Sequence, residues 1–264
     1  MSAASESELS AKVVRLDEGL RRLGRLAVAF SGGVDSTVLL HAAHRVLGPD
    51  DGIGIIADSP SLPRAELDEA REVADAIGAK LVVVATDEGD DAGYRANAGD
   101  RCYFCKAALF RAMGDFATRE RFPYLAFGEI VDDWSDDRPG ARAAAEFGVV
   151  APLSAAGFGK DDVRAYAARY ELTVADKPAS ACLASRIPVG TEVTPARLAT
   201  VERAEAALRS LGLRVLRVRH HGTHARVEVG ADERGLALSL LPRIETELSA
   251  AGFETSEIAT YGRS

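Results

Sequence analysis

Cysteine is scarce in this chain, with three residues among 264: Cys102, Cys105 and Cys182. A small and odd number of thiols at this length excludes the dense disulfide framework of small secreted domains and suits a reducing compartment. Three thiols without a fourth also exclude a Cys₄ zinc site that this chain builds alone. The C-x-x-C spacing of Cys102 and Cys105 therefore calls for another explanation.

Long apolar runs and an excess of positive charge are also missing. No stretch approaches the roughly 20 apolar residues of a membrane span, and the polar N-terminal sequence lacks the apolar segment of a signal peptide. The net charge is −8, from 32 basic and 40 acidic residues, so bulk electrostatics do not favour nucleic acid. We expect a cytoplasmic protein with neither a membrane nor a nucleic-acid partner.

Short apolar runs alternate with helical stretches over the first half of the chain. The runs are typical of buried parallel strands and lie at 26–30, 53–57, 81–85 and 124–127. The helical stretches between them lie at 37–47, 63–77 and about 106–120. Strands separated by helices indicate βαβ units, so the sequence predicts an α/β fold with a parallel sheet covered on both faces.

The C-terminal sequence has a different pattern. A helix from Pro195 to about Ser210 precedes strand-like stretches at 213–219 and 224–229. A helix from about 232 to 250 and a short strand near Ile258 follow. This αββαβ order predicts a small α+β domain, and we expect two domains that cover residues 1–190 and 191–264. The second would bind a substrate phosphate, mediate oligomerisation, or do both.

The most informative motif is Ser-Gly-Gly-Val-Asp-Ser at 31–36, between a buried strand and a helix. Glycines permit close approach of the backbone to a ligand, and the helix N-terminus offers N–H groups to an anion. The lysine of a Walker A motif is absent. The motif resembles the PP-loop of ATP pyrophosphatases, which holds pyrophosphate while ATP is split. The resemblance implies ATP as a cofactor, with the loop formed by Ser31, Gly32, Gly33, Asp35 and Ser36. We also expect Mg²⁺, which would help to stabilise the charge of the departing pyrophosphate.

Two further groups of polar residues are candidates for the same site. Asp58 and Ser59 follow the second predicted strand, and ligands of open α/β sheets bind beyond the carboxyl ends of strands. We therefore include both in the nucleotide site. An acidic run precedes Arg138 and comprises Asp132, Asp133, Asp136 and Asp137. This run either positions Mg²⁺ or the substrate, or it is a solvated loop.

The C-x-x-C pair is flanked by Arg101 and Lys106, which favour the thiolate form. With Cys182, the pair could hold three irons of a [4Fe–4S] cluster and leave the fourth iron open to an exogenous ligand. A redox pair of the thioredoxin type, which needs a different βαβ setting, and buried structural thiols are the alternatives.

The motifs in combination resemble the LarE family. The similarity extends over about residues 10–260. It rests on the motif at 31–36, which we call the phosphate loop, and on the segments 100–106, 128–140, 151–153 and 181–186. That family comprises ATP-dependent sulfur-inserting enzymes that build the nickel-pincer cofactor of lactate racemase. The resemblance implies that a carboxylate of pyridinium-3,5-biscarboxylic acid mononucleotide is adenylylated, and that sulfur then displaces AMP to give a thiocarboxylate.

The family divides by the source of the sulfur. Some members sacrifice the sulfur of the cysteine that corresponds to Cys182, which leaves dehydroalanine. Others carry three cysteines and resemble [4Fe–4S]-dependent thiolases, in which the open iron would carry a hydrosulfide. The three-cysteine pattern favours the cluster route, with Cys102, Cys105 and Cys182 as iron ligands. These cysteines and Asp35 are the expected catalytic residues.

Arginines on the tail strands are candidates for phosphate binding. Alternation of side chains along a strand places Arg217 and Arg219 on one face, and a pair of arginines can bind a phosphate with bidentate hydrogen bonds. The resemblance implies a substrate-binding group of Arg186, Arg217, Arg219 and Glu228. A solvated sheet face is the alternative for the strand residues.

Three other functions share some of these features. A tRNA thiolase combines a PP-loop with three cysteines, but it normally carries a basic RNA-binding surface, which the charge of −8 disfavours. A relative of NAD or GMP synthetase would use ammonia and need no thiols, and a non-catalytic ATP-binding module would release no pyrophosphate. We expect the sulfurtransferase, as a homo-oligomer that passes its product to other proteins of cofactor biosynthesis.

Overall fold

The structure, a computed structural model, describes residues 3–135, 139–177 and 181–262. In chain order its elements are α1 (Ala3–Leu23), β1 (Leu26–Ala29), α2 (Val34–Leu47), β2 (Gly52–Asp58), α3 (Arg64–Ile77), β3 (Leu81–Ala85), α4 (Ala92–Ala96), α5 (Arg101–Glu120), β4 (Tyr124–Phe127), α6 (Pro139–Glu146), α7 (Pro152–Ala155), α8 (Lys160–Arg169), α9 (Pro195–Ser210), β5 (Leu216–His221), β6 (His224–Val229), α10 (Arg234–Ser239), α11 (Leu241–Ala251) and β7 (Thr255–Thr260). The chain divides into two compact units, residues 1–88 with 102–180 and residues 89–101 with 181–264.

The first unit is built on a parallel sheet with the strand order β3-β2-β1-β4. β1 is buried along its whole length, and its side chains alternate between two apolar cores. Leu26 and Val28 pack into one core, while Ala27 and Ala29 pack into the other. The predicted α/β fold with a parallel sheet covered on both faces is therefore confirmed.

Helices cover both faces of this sheet. The larger core joins it to α1, α2, α3 and α8, and the smaller core joins it to α5 and α6. The chain runs outward from β1 through β2 to β3, and then returns to place β4 on the other side of β1. This reversal opens a crevice at the carboxyl ends of β1 and β4, where ligands of open α/β sheets bind.

Several elements begin elsewhere than predicted. α5 begins at Arg101 rather than near residue 106, so the C-x-x-C pair lies in its first turn. β5 begins at Leu216 rather than at 213, because the Glu233 carboxylate accepts the N–H groups of Arg214 and Val215. The single helix predicted for 232–250 is two helices, since Pro242 has no N–H to continue the first one.

The second unit contains a small mixed sheet in the order β5-β6-β7, with β5 antiparallel and β7 parallel to β6. Residues 89–101 and 181–190 also belong to this unit, whereas the predicted division placed them in the first domain. The Asn97 side chain explains the difference, because its amide nitrogen donates to the carbonyls of Pro188 (2.8 Å) and Thr191 (3.1 Å). Sequence spacing gives no sign of such a link.

Within the described ranges, no helix combines the length and the apolar character that crossing a bilayer requires.

A histidine in the larger core makes stability depend on pH. His41 Nδ1 lies 3.0 Å from the Tyr166 hydroxyl, and burial together with the nearby Arg45 charge lowers the pKa of His41 to about 4. The unfolded chain takes up this proton near pH 6.5, about two pH units before the folded chain does. Stability that is present above about pH 6.5 is therefore lost progressively as the pH falls toward 4.

We expect the His41→Gln variant to lose less stability on acidification than the unsubstituted chain. The difference should be about 1 kcal/mol, because partial solvation of the ring discounts the electrostatic cost. Urea unfolding at about pH 7 and about pH 4.5 measures it. His221→Gln, at an exposed position, is the matched control. The same pH dependence in all three proteins would contradict the prediction.

Candidate active site

The Ser31–Ser36 loop is closed by hydrogen bonds to one hydroxyl. Ser36 Oγ donates to the Gly33 carbonyl (3.1 Å), lies 3.1 Å from Ser31 Oγ, and accepts the Ser31 N–H (3.2 Å). Gly33 has extended backbone and caps α2, which begins at Val34. The first N–H groups of α2 therefore have no intrahelical partner and are available to an anion.

Gly32 occupies a backbone conformation that requires glycine. Its φ is +69°, and a Cβ at this position would lie 3.0 Å from Ala70 Cβ on α3. A side chain would therefore suffer both backbone strain and a close contact. The tight turn that the two glycines predicted is present.

A cavity of about 390 Å³ lies at the carboxyl ends of β1 and β4, within the first unit. Its polar lining comes from three places: the phosphate loop, the segment after β4, and the first turns of α5. The described lining residues with polar side chains are Ser31, Asp35, Ser36, Cys102, Lys106, Glu129 and Asp133. The volume is that of a small-molecule site, and the position is the crevice that the strand order creates.

Three carboxylates line this cavity, those of Asp35, Glu129 and Asp133. Burial raises the pKa of the Asp35 carboxyl, and the Asp133 carboxylate raises it further. Asp133 is held in place by the Ile130 N–H, 3.2 Å from its Oδ2. Carboxylate oxygens beside an anion-binding loop are the donors that Mg²⁺ prefers when it also binds phosphate. The donor set of Asp35 and Asp133 therefore fits a Mg²⁺ ion.

Cys102 and Cys105 lie three residues apart in the first turn of α5 and so share a face of the helix. Cys102 is exposed and lines the cavity, while Cys105 is partly buried. Tyr103 attaches this turn to α6: its hydroxyl donates to Glu146 (2.6 Å), and the Arg142 guanidinium lies 4.3 Å from its ring centre.

Cys182 belongs to the second unit, where it caps the short 3₁₀ helix Leu183–Arg186. Its thiol is partly buried. Over the three described ranges, no group of three or more His, Cys, Asp or Glu side chains is placed to hold a metal ion. The three-cysteine ligand set stays a prediction.

Arg186 is almost completely buried, with 4% of its side chain exposed. Its guanidinium pairs with Glu205 through Nε (2.8 Å) and Nη2 (3.2 Å). Nη1 donates to the carbonyls of Ala181 and Cys182. These bonds shape the turn that carries Cys182. They do not support the predicted substrate contact of Arg186, which stays a prediction.

Comparisons with known proteins decide the family. No family model matches the chain. It is 36% identical over 245 residues to the pyridinium-3,5-bisthiocarboxylic acid mononucleotide synthase of Lactiplantibacillus plantarum, a match that covers 93% of this chain and 89% of that protein. The chain belongs to the LarE family.

Two other relatives match different extents of this LarE-family chain. An uncharacterized protein of Synechocystis is 39% identical over 225 residues, 85% of this chain and 84% of that protein. The argininosuccinate synthase of Haloarcula marismortui is 38% identical over 94 residues, 34% of this chain and 22% of that protein. The resemblance inferred from the motifs is thus confirmed at the level of the family.

The cavity of this LarE-family protein brings together only part of the predicted nucleotide site. Ser31, Gly33, Asp35, Ser36 and Cys102 line it. The described lining does not include Gly32, Cys105, Asp58 or Ser59. Asp58 is the last residue of β2 and pairs with Arg64, and Ser59 follows it and hydrogen-bonds with Ser61. β2 lies on the side of β1 opposite β4. The role of Asp58 and Ser59 in nucleotide binding stays a prediction.

The acidic run divides into residues with different positions. Asp132 accepts the Lys160 N–H (2.9 Å) at the start of α8, and Asp133 lines the cavity. Asp136, Asp137 and Arg138 lie outside the described residues. One member of the run therefore has a position suited to binding Mg²⁺, and one serves the adjacent helix.

The tail arginines lie as the strand pattern predicted. Arg217 and Arg219 share a face of β5, since Leu216 and Val218 are buried on the other. Arg219 Nε donates to Glu228 (3.0 Å), and its Nη1 donates to the Ser185 carbonyl (2.9 Å). The Arg217 guanidinium lies 4.6 Å from the ring centre of Tyr261. Their binding of substrate, together with Glu228, stays a prediction.

Gly128 and Glu129 line the cavity without a role assigned from the sequence, and Lys106 lines it although the sequence assigned it only an effect on the neighbouring thiols. Gly128 and Glu129 follow β4 directly. The rule that ligands bind beyond the carboxyl ends of strands would have found both if applied to the fourth strand as well as the second. Lys106 stands one turn along α5 from Cys102, which shows only once the start of that helix is known.

Gly128 provides a test of how closely the β4 end must approach the loop. A Cβ there would lie 2.9 Å from the Ser36 nitrogen and 3.0 Å from the Asp35 carbonyl carbon, both backbone atoms. We expect Gly128→Ala to displace the loop, to weaken pyrophosphate binding about tenfold or more and to cost about 1–3 kcal/mol of stability. Calorimetric titration and urea unfolding measure the two effects.

Gly114→Ala is the matched control, because a Cβ at Gly114 meets no atom within 4 Å. It should bind pyrophosphate as the unsubstituted chain does and be no less stable, since alanine favours a helix. Unchanged binding by Gly128→Ala would show that the loop tolerates the displacement.

The buried Arg186–Glu205 pair generates a stability prediction. Arg186→Met leaves the Glu205 carboxylate buried, and we expect the free energy of unfolding to fall by about 3 kcal/mol. Arg209 pairs with the same carboxylate from a side chain that is 43% exposed. Arg209→Met should cost about 1 kcal/mol or less. Equal losses in urea unfolding would contradict this assignment of the buried pair.

Proposed function

We propose that this chain is an ATP-dependent sulfurtransferase that converts pyridinium-3,5-biscarboxylic acid mononucleotide into the bisthiocarboxylic acid mononucleotide. The L. plantarum relative, which matches 93% of this chain, is named for that product. The cavity at the ends of β1 and β4 carries the proposal, because the phosphate loop, three carboxylates and a thiol line one space there.

The first step is the activation of a carboxylate. An oxygen of the substrate carboxylate attacks the α-phosphorus of ATP. The bond between that phosphorus and the oxygen that bridges it to the β-phosphorus breaks, and pyrophosphate leaves with the electron pair. The N–H groups at the start of α2 and the Ser31 and Ser36 hydroxyls would bind the departing pyrophosphate. Asp35 and Asp133 would hold the Mg²⁺ that neutralises its charge.

The second step replaces AMP by sulfur. A sulfur nucleophile attacks the carbonyl carbon of the acyl-adenylate, the bond from that carbon to the AMP oxygen breaks, and AMP leaves with the electron pair. The product is a thiocarboxylate, and the second carboxylate needs a second round. Cys102 lines the cavity in which the first step is proposed, so a thiol is close to the activated carbonyl.

The three cysteines fit an iron–sulfur cluster by their chemistry. Thiolates are the soft ligands that iron–sulfur clusters require, and Cys102, Cys105 and Cys182 would hold three irons of a [4Fe–4S] cluster. When bound, the cluster would supply a fourth iron to which a hydrosulfide can attach. The other source of sulfur is Cys182 itself, whose S–Cβ bond would break with loss of the Hα proton to leave dehydroalanine.

The two half-reactions provide the test. Protein purified without oxygen is assayed for iron and sulfide and then supplied with Mg²⁺, ATP and the pyridinium biscarboxylic acid mononucleotide. We expect substrate-dependent pyrophosphate release and a thiocarboxylate product. Cys102→Ala, Cys105→Ala and Cys182→Ala should each release pyrophosphate yet form no product, because adenylylation needs no thiol.

Asp35→Asn is the complementary variant and should lower pyrophosphate release by about a hundredfold or more, since it removes a Mg²⁺ ligand. Pyrophosphate release without any sulfur product in the unsubstituted, iron-loaded protein would contradict the proposed function. If iron-free protein forms product and its intact mass shows the loss of one sulfur from Cys182, then Cys182 is the source of the sulfur and the cluster is not.

A further inference from the structure

The phosphate loop has no cation of its own. The side chains of Ser31, Asp35 and Ser36 are neutral or acidic, and the described lining of the cavity adds Glu129, Asp133 and one cation, Lys106 on α5. Pyrophosphate carries several negative charges, and backbone N–H groups bind it only when they point toward it. The orientation of the loop peptides therefore decides whether the anion is bound.

A lysine from far along the chain contacts this loop. Lys177 Nζ donates to the Gly32 carbonyl (3.0 Å), although 145 residues separate the two in sequence. The same ammonium pairs with Glu69 Oε1 on α3 (3.1 Å), and 15% of the Lys177 side chain is exposed. All three residues belong to the first unit. The ammonium is thus fixed between the loop and α3.

The bond to Gly32 sets the direction of the next N–H group. The Gly32–Gly33 peptide is trans, so its carbonyl and its N–H point in opposite directions. With the carbonyl held on the Lys177 side, the Gly33 N–H points the other way, where it donates a long hydrogen bond to Ser31 Oγ (3.4 Å), and both residues line the cavity that would hold the anion. A peptide between two glycines rotates readily unless an outside group holds it.

We propose that Lys177 is a positioning residue for pyrophosphate: its ammonium holds the Gly32 carbonyl so that the Gly33 N–H faces the anion. The inference rests on the proposed function, which makes the loop a pyrophosphate site. Lys177 acts through the peptide, and its charge adds a positive potential where the loop itself has none. Glu69 keeps the ammonium in place.

Calorimetric titration of the full chain with inorganic pyrophosphate and Mg²⁺ tests this role. Lys177→Met should weaken binding about tenfold or more, the effect of losing a hydrogen bond from a charged donor. Lys177→Arg, which still donates to a carbonyl, should stay within about threefold of the unsubstituted chain. Glu69→Gln should also stay within about threefold, because the bond to Gly32 is kept.

Lys12→Met is the matched control. Lys12 is as shielded as Lys177, with 16% of its side chain exposed, and it pairs with Asp162 at 2.7 Å on α8. Its loss should leave pyrophosphate binding unchanged even if stability falls. Should Lys177→Met fail to fold, Lys177→Gln takes its place with the same expectation of a marked loss.

A spectroscopic readout separates positioning from a general structural effect. In ¹⁵N-glycine-labelled protein, the Gly33 amide signal is assigned by its absence from Gly33→Ala. Lys177→Met should shift this signal before any ligand is added, whereas Lys12→Met should not. An unshifted Gly33 signal in Lys177→Met would contradict the proposal that Lys177 fixes the orientation of the Gly32–Gly33 peptide.

The outcomes distinguish this inference from the proposed function. Equal pyrophosphate affinity of Lys177→Met and the unsubstituted chain overturns the role of Lys177 alone. An equal loss in Lys12→Met, or in Glu69→Gln, also overturns it, because the effect is then not specific to the Gly32 bond. Absence of pyrophosphate binding by the unsubstituted chain overturns the proposed function and this inference with it.

Discussion

The contact between the end of β4 and the first turn of α2 gives the cavity its form. Gly128 has no side chain, so the backbone after β4 approaches the Ser36 nitrogen more closely than a Cβ would permit. This approach carries Glu129 and Asp133 to the space that the phosphate loop lines. The strand order makes β4 a neighbour of β1, and glycine lets the neighbours close on one ligand site.

A chain of net charge −8 must rely on local groups for the pyrophosphate binding that we propose. Ions screen surface charges beyond about 8–10 Å at physiological salt, so the acidic surface contributes little at the loop itself. The raised pKa of Asp35 reflects a carboxylate that is costly to ionise where it lies. The proposed Mg²⁺ would reverse that cost, because a cation stabilises the ionised form that burial disfavours. As a metal ligand, the carboxylate that alone repels phosphate would then support phosphate binding.

The sequence predicted those parts of the fold whose information is local. Run lengths of apolar residues identified the strands of the parallel sheet, and a Gly-Gly turn between a strand and a helix identified the phosphate loop. Features set by distant partners were not predictable. The start of β5 depends on the Glu233 side chain, the unit division depends on Asn97, and the Gly32 peptide depends on Lys177. In each case a side chain that is distant in sequence hydrogen-bonds a backbone group, and hydrophobic periodicity carries no information about such a bond.

The placement of Arg186 shows why a buried ion pair is kept at a reactive turn. Replacing such a pair by apolar groups is often neutral or stabilising, so stability alone is a weak reason for it. The Arg186 guanidinium, however, also donates to the carbonyl oxygens of Ala181 and Cys182, which an apolar side chain cannot do. Glu205 orients the guanidinium and also accepts the Val218 N–H of β5 (3.0 Å), which ties the turn to the sheet. The pair therefore fixes the backbone at Cys182, and the proposed role of Cys182, to ligate iron or to give up its sulfur, would require a fixed backbone more than added stability.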